Sequence, residues 1–290
     1  MSELTPRVQA WAAQGGHERL SGHDIFVHRR AGPGPLVVLL HGFPSSSYDW
    51  RATLDALGAR ATLTLDFLGF GLSDKPRSVT YSLFTQADIV EALLARETGP
   101  VVLVAHDMGT SVATELLARA IEDRLGFALH AALLFNGNII LELASLTWAQ
   151  RVLRSPAGPV LAAMSNRRAF TRQFAALFSD THPLTPQEGA DQWALWARAG
   201  GARIAHRLIH YLGERETYAQ RWHGAIRDWE GRLEFAWGMH DPVATPRVLD
   251  GLRALRPHAP VTELGALGHY PQIEEPATIA RLIAELAQAR

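Results

Sequence analysis

The 290-residue chain contains no cysteine. That excludes disulfides, thiol nucleophiles and thiolate metal sites, and it fits a reducing compartment. Lysine is nearly missing too: Lys75 is the only one among 28 basic residues, a bias that reads as genomic base composition and not as function. Neither sign of charge is in excess, since 28 basic residues face 29 acidic ones for a formal net charge of -1. No field therefore points to nucleic acid or a membrane surface, and the expected partners are a small apolar substrate and water. Long hydrophobic runs are also lacking. No stretch reaches the roughly 18 apolar residues of a membrane span, and residues 1–19 are polar, without the apolar segment of a secretory signal. The expectation is a cytoplasmic protein, monomer or homodimer.

Apolar residues are plentiful, at 47%, so the chain can bury a large core, and one domain with an insertion suits its length. The stretch around which the rest is arranged is Val101 to Thr110. An apolar, β-branched run of strand length meets a tight turn at His106-Asp107-Met108-Gly109, and helical spacing follows from Ser111 to Arg119. Further strands are predicted at Asp24–His28 (an early edge strand), Pro35–Leu40, Ala61–Leu65, Ala128–Phe135, Arg232–Trp237 and Pro260–Leu264. Helices are predicted at Tyr48–Leu57, Phe84–Arg96, Arg247–Leu255 and Pro276–Ala289. The alternation implies an α/β protein with a mostly parallel sheet.

Between about Ile139 and Trp229 the texture changes to helical periodicity without strand runs, and five of the eight tryptophans lie there. A helical, aromatic-rich insertion between sheet strands reads as a lid. The glycine-rich turn Asp66 to Asp74 lacks the spacing of a dinucleotide or phosphate loop, so no cofactor is implied, and no metal.

Three groups capable of chemistry follow strands in the order Asp107, Asp241, His269. Taken singly, each aspartate reads as a turn former and the histidine as structural. Their joint order, with His41-Gly42-Phe43-Pro44 upstream, matches a nucleophile, an acid and a histidine over a sheet edge. A carboxylate at the turn can displace a leaving group from carbon and form an alkyl-enzyme ester, which water activated by His269 would hydrolyse while Asp241 holds the imidazole. The backbone N–H groups of Phe43 and Met108 are the expected oxyanion donors. His106, His240, Asp66 and Asp74 read as structural.

His41-Gly42-Phe43-Pro44, the Asp66 to Asp74 turn, His106-Asp107-Met108-Gly109, Asp241-Pro242 and Gly268-His269 together resemble the epoxide hydrolase and haloalkane dehalogenase branch of the α/β-hydrolases. Within that branch, His41 to Trp50, Leu65 to Pro76, Tyr81 to Leu94 and His269-Tyr270-Pro271-Gln272 look closest to the mesoderm-specific transcript group. The resemblance implies an α/β-hydrolase fold: a mostly parallel eight-stranded sheet, helices on both faces and a helical lid after the sixth strand. Core would occupy residues 1–137 and 230–290, and lid 138–229. It further implies a cis Phe43–Pro44 peptide.

Departures from the branch sort the reactions. Dehalogenases typically cradle the halide with a tryptophan and an asparagine where this chain has Met108 and Phe43, and neither side chain donates a hydrogen bond. The arginines that fluoroacetate dehalogenases carry just after the nucleophile are absent from Met108 to Ala113. Epoxide hydrolases protonate the opening ring with lid tyrosines, and Tyr211 and Tyr218 are the candidates, Tyr211 being the better placed. His41, Trp148 and Tyr218 complete the expected substrate-binding set. The implied function is an aspartate-nucleophile hydrolase opening epoxides to diols; the alternatives are a haloalkane dehalogenase with an atypical halide site and a non-catalytic ligand binder that keeps the fold.

Overall fold

In the computed structural model, which describes residues 3–288, the apolar runs become strands of one eight-stranded sheet. In chain order these are β1 (Gly16–Leu20), β2 (His23–Arg30), β3 (Leu36–Leu40), β4 (Thr62–Leu65), β5 (Val101–His106), β6 (Leu129–Phe135), β7 (Arg232–Gly238) and β8 (Val261–Leu264). They lie side by side in the order β1-β2-β4-β3-β5-β6-β7-β8. β1 pairs antiparallel with β2, β2 antiparallel with β4, and every later pair is parallel.

Successive side chains of a strand point to opposite faces, so each central strand feeds two cores. Val38 and Leu40 join Leu103 and Ala105 on one side, and Val37 and Leu39 join Val102 and Val104 on the other. All are buried, which is why these strands read as continuous apolar runs instead of alternating ones. Helices α1 (Pro6–Ala12), α2 (Arg51–Ala56), α3 (Leu83–Leu94) and α4 (Met108–Ile121) belong to the first part of the chain. The insertion between β6 and β7 carries α5 (Trp148–Arg154), α6 (Gly158–Ala163), α7 (Arg167–Ala175), α8 (Pro186–Ala197), α9 (Ala205–Leu208), α10 (Tyr211–Thr217) and α11 (Ala219–Asp228). After β7 come α12 (Pro246–Leu255), α13 (Pro271–Glu274) and α14 (Pro276–Gln288). Val8 and Trp11 of α1, Leu54 of α2 and Ile279, Ile283 and Leu286 of α14 cover one face. The other face is covered by α3, α4 and α12, through residues such as Val90, Leu116 and Leu249.

Two elements differ from the sequence reading. The polar segment before Arg19 forms α1 and β1, and β1 takes the sheet edge that Asp24–His28 was expected to hold. β1 is exposed along most of its length, so it carries no apolar periodicity to read. A tight turn defines it instead, with Ser21 and Gly22 at φ 48° and 81°. The final helix agrees through Gln288; Ala289 lies outside the described residues.

Ion pairs between buried carboxylates and partly exposed arginines tie the insertion to the rest. On α4, Glu115 accepts from Arg119 Nε (3.1 Å), Arg221 Nε (2.8 Å) and Trp222 Nε1 (3.0 Å). At the opposite end, Glu188 and Asp191 of α8 pair with Arg7 and Arg51. The sole lysine is spent inside the glycine-rich turn: Lys75 Nζ donates to the carbonyls of Phe70 (3.1 Å), Gly71 (2.6 Å) and Ser73 (3.1 Å). Burial lowers its pKa to about 7. Among the described residues, no helix is long and apolar enough to cross a membrane.

Candidate active site

β5 ends at His106, and the chain reverses into α4 through Asp107, whose φ of 44° and ψ of -112° lie where a side chain other than glycine is strained. Such a backbone costs on the order of 1–3 kcal/mol and persists only where its surroundings hold it. Gly109 lets the reversal pack down, because a Cβ there would come within 2.6 Å of the Leu40 carbonyl oxygen. Gly42 makes room beside it, since its Cβ would lie 2.7 Å from Asp107 Cβ. The Phe43–Pro44 peptide is cis, as expected. Phe43 N–H donates to Asp107 Oδ2 at 2.9 Å. Met108 is buried as the first residue of α4, and among the described residues its N–H makes no hydrogen bond to the Asp107 carboxylate.

Asp241 and His269 come together from the ends of β7 and β8. Nδ1 of His269 donates to Asp241 Oδ2 at 2.6 Å, which leaves Nε2 as the basic nitrogen. Oδ1 of Asp241 accepts from the N–H groups of Val243 (2.7 Å) and Ala244 (2.9 Å). Burial works against a charged imidazole, but the Asp241 charge and hydrogen bond, joined by the Asp107 charge, outweigh it and raise the His269 pKa above the usual histidine value.

A cavity of about 440 Å³, within the usual range for small-ligand sites, has His269 in its wall; Asp107 and Asp241 are not among its lining residues. Phe43, Trp148, Phe170, Phe174, Trp196 and His269 are among its walls; the space is mostly apolar, with Thr147, Gln150, Ser165, Arg172 and Gln173 adding polar groups. Trp148 is 67% exposed and sits at the cavity's edge.

The remaining predicted residues fall differently. His41 is buried and both ring nitrogens serve the backbone: Nδ1 donates to the Gly42 carbonyl (2.8 Å), and Nε2 accepts from Phe67 N–H (2.9 Å). It shapes the loop before Phe43 and has no nitrogen left for a substrate. Tyr218 is not brought to the site; it is 40% exposed and packs its ring on Phe84 (4.7 Å) and Trp222 (5.9 Å). Tyr211 is buried with its hydroxyl unpaired. Expected from the sequence to point into the substrate cavity as the ring-opening acid, it is instead absent from the walls of the 440 Å³ cavity and lines a void of about 10 Å³ beside Met108, Phe70 and Gln86. Its ring centroid lies 6.0 Å from that of Phe43, a wall residue of the large cavity. Burial and then the Asp107 charge raise its pKa, opposed by Arg215.

Asn136, Gln272 and Arg215 escaped the sequence reading as contributors, while His106, read as structural, has that part here. Asn136 Nδ2 donates to Asp241 Oδ2 at 2.7 Å while its Oδ1 accepts from Gly238 N–H at 2.9 Å, locking the acid in place; the Asn-Gly pair at the end of β6 was the available signal. His106 Nε2 donates to the His269 carbonyl (2.6 Å), and Gln272 Nε2 donates to His106 Nδ1 (3.1 Å), which fixes a neutral tautomer and steadies the loop. Burial lowers the His106 pKa far below the ordinary value. Arg215 of α10, fully buried, donates from Nη2 to the Asp107 carbonyl at 3.1 Å and from Nε to Ser111 Oγ at 2.8 Å. Nothing in the sequence distinguishes it from the other arginines. Among the described residues, no group of three or more His, Asp or Glu could hold a metal ion.

A family model for the alpha/beta hydrolases matches residues 37–282. The chain belongs to the alpha/beta hydrolase family. It is similar along 95% of its length to "Putative hydrolase LipZ" of Mycobacterium tuberculosis, at 54% identity and with 96% of that protein covered. The likeness to the mesoderm-specific transcript proteins also runs the length of the chain: 34% identity with the Mus musculus protein, covering 94% of this chain and 86% of that one. Among solved structures, the haloalkane dehalogenase DbeA from Bradyrhizobium elkani superposes with a TM-score of 0.76 at 23% identity, covering 94% and 98% of the two chains. Cfl2 from Burkholderia cenocepacia gives 0.81 at 20% identity, covering 94% and 95%. At such identities these neighbours establish the alpha/beta hydrolase fold, with its eight-stranded, mostly parallel sheet.

Proposed function

We propose that this hydrolase attacks carbon with Asp107, forms an alkyl–Asp107 ester and releases product when water activated by His269 attacks that ester. The observation that supports it most is the residue at the elbow: a carboxylate, held at φ 44° with one oxygen on the Phe43 N–H (2.9 Å), stands where a hydroxyl would serve acyl transfer. A serine displacing at saturated carbon would end as an ether that water cannot cleave, whereas an aspartyl ester can be hydrolysed. His269, with Nδ1 committed to Asp241, has Nε2 free to take the proton of water. The oxyanion formed in that second step falls to the Phe43 and Met108 N–H groups.

The electrophile we assign is an epoxide, opened to a diol, in a small and mostly apolar molecule. Phe43 and Met108 supply no side-chain donor for a halide, while Tyr211 holds a buried hydroxyl without a partner, suited to protonate a departing oxygen. In this reading the helical insertion is the lid, and Trp148 meets the substrate at its mouth.

The deciding experiment uses the His269→Gln protein with a panel of epoxides and haloalkanes. On the Asp107 peptide an epoxide is expected to add the mass of the whole substrate and a haloalkane that of the substrate less hydrogen halide, with no increase in Asp107→Asn. Wild type given one turnover in heavy-oxygen water should carry the label in Asp107 before it reaches product. Label in first-turnover product, without an adduct on the histidine variant, would mean that water attacks the substrate directly. Diol release separates the epoxide reaction from halide release.

A further inference from the structure

Apolar side chains stand in water around the mouth of the large cavity. Trp148, Val160 and Met164 are 67%, 60% and 70% exposed, more than any other large apolar side chain among the described residues. Trp148 and Met164 both border the cavity, and Val160 lies one helical turn before Met164 along α6. An exposed apolar group of this kind marks a surface that something else covers. The same stretch carries charge of one sign. Residues 143–179 contain five arginines and no acidic residue, a separation that the whole-chain net charge of -1 conceals. Arg154 is paired with Glu216 at 3.0 Å. Arg151, Arg167, Arg168 and Arg172 are exposed, and among the described residues their side chains have neither an ion pair nor a hydrogen bond. By contrast, the exposed Arg19, Arg227, Arg253 and Arg281 each have a carboxylate partner. Charge and apolar rim meet at the mouth: Arg172 lines the cavity with Trp148 and Met164, Arg168 lies one turn before it on α7, and Arg151 follows Trp148 by one turn on α5.

We infer that this rim of the insertion docks on the surface of an anionic bilayer, with Trp148, Val160 and Met164 entering the headgroup region and the four free arginines facing lipid phosphates. Tryptophan is at home at that depth, where its ring meets apolar chains and its N–H meets water, and arginines held near an anionic leaflet add attraction residue by residue. Other occupants fit less well. A second copy in symmetric pairing would set the arginines of one subunit against those of the other. A folded acidic partner would plug the mouth and shut the cavity, whereas a bilayer is fluid and itself dissolves apolar molecules. Docked in this way, the mouth opens onto lipid, and an apolar molecule enters the cavity without first paying the cost of exposure to water. The inference goes beyond the chemistry proposed above and holds whatever group attacks the substrate.

Sedimentation with vesicles tests this without any turnover. Wild type should bind vesicles of phosphatidylcholine containing a quarter phosphatidylglycerol roughly 20-fold or more better than vesicles of phosphatidylcholine alone, and the difference should fade at high salt as screening shortens. Each arginine near an anionic surface is worth about 5-fold in binding, so Arg167→Gln with Arg168→Gln should weaken it roughly 20-fold while the thermal midpoint stays at the wild-type value. Val160→Asp, at a position outside the cavity wall, should weaken it roughly 10-fold or more. Bromine on the acyl chains should quench part of the tryptophan emission of the bound protein, and Trp148→Phe should abolish that part. Equal binding to the two kinds of vesicle, or binding to anionic vesicles that survives the double arginine substitution, overturns the inference. So does a concentration-dependent dimer that Val160→Asp dissolves, since a second copy would then cover this face. Binding of polyglutamate as tight as that of anionic vesicles overturns it as well, because a soluble acidic partner would then suffice.

Discussion

Asp66 and Asp107 occupy matching places, each in the turn after a parallel strand and each nearly unexposed, at 1% and 3%. Their hydrogen bonding is opposite. Asp66 Oδ1 accepts from Ser47 N–H (2.7 Å) and Ser47 Oγ–H (2.5 Å), and Oδ2 accepts from Leu72 N–H (2.5 Å). Asp107 receives only the Phe43 N–H, on Oδ2; among the described residues Oδ1 has no hydrogen bond and faces Arg215 across 3.8 Å. A buried carboxylate saturated by donors ties loops together, and desolvation makes each bond expensive to lose. One left half-bonded, on a strained backbone, keeps a lone pair for chemistry at a cost in stability. Residue type and position are shared, so the difference in role comes from the donors.

The largest expected effect follows directly. Asp107→Asn should cut turnover by about 10⁴-fold or more while its thermal midpoint stays at or above that of wild type. Asp66→Asn should do the reverse, placing an amide N–H against existing donors and costing about 1–3 kcal/mol for each donor left unpaired, read by urea unfolding. If Asp66→Asn folds normally and loses turnover outright, the two carboxylates cannot be divided this way.

Tyrosines sharpen the contrast at the next level. Tyr211→Phe should lower epoxide turnover by roughly 10²-fold with an unchanged fold, as for removal of a positioned proton donor. A smaller, directional effect concerns pH. Hydrolysis of the ester needs neutral His269, so the rate should fall as pH drops through the raised His269 pKa. In Asp241→Asn the groups that favour the imidazolium are weakened; the acid limb of adduct decay in single-turnover assays should move to lower pH, with a lower plateau. Were the limb to stay in place, Asp241 would not be what holds His269 charged. The least change is expected for Tyr218→Phe, with turnover within about 2-fold of wild type, because this surface ring touches only Phe84 and Trp222 in the aromatic packing around it.

Local composition made much of this legible. The Val101–His106 run, the small residues around Asp107 and the order Asp107, Asp241, His269 are all patterns within a few residues or along the chain, and the sheet follows them closely. Arg215 was not legible, since its burial depends on α10 lying beside Asp107 and Ser111 at the start of α4, more than 100 positions earlier in the chain. Tyr218 and Tyr211 shared a helical texture in the sequence, and only packing sent one to the surface and the other beneath Phe43. β1 stayed hidden because an exposed edge strand has no buried face to impose a pattern.

By itself, then, the sequence determined the buried strands, the helices between them and the kind of atom at the elbow, because backbone propensity, burial period and side-chain chemistry are local properties. The tertiary structure alone decided which buried groups are satisfied and which are left with a free donor or lone pair. Ser47 for Asp66, Phe43 for Asp107 and Ser111 for Arg215 are partners from distant segments, and these bonds, like the lack of any for the Tyr211 hydroxyl, exist only once the layers are packed.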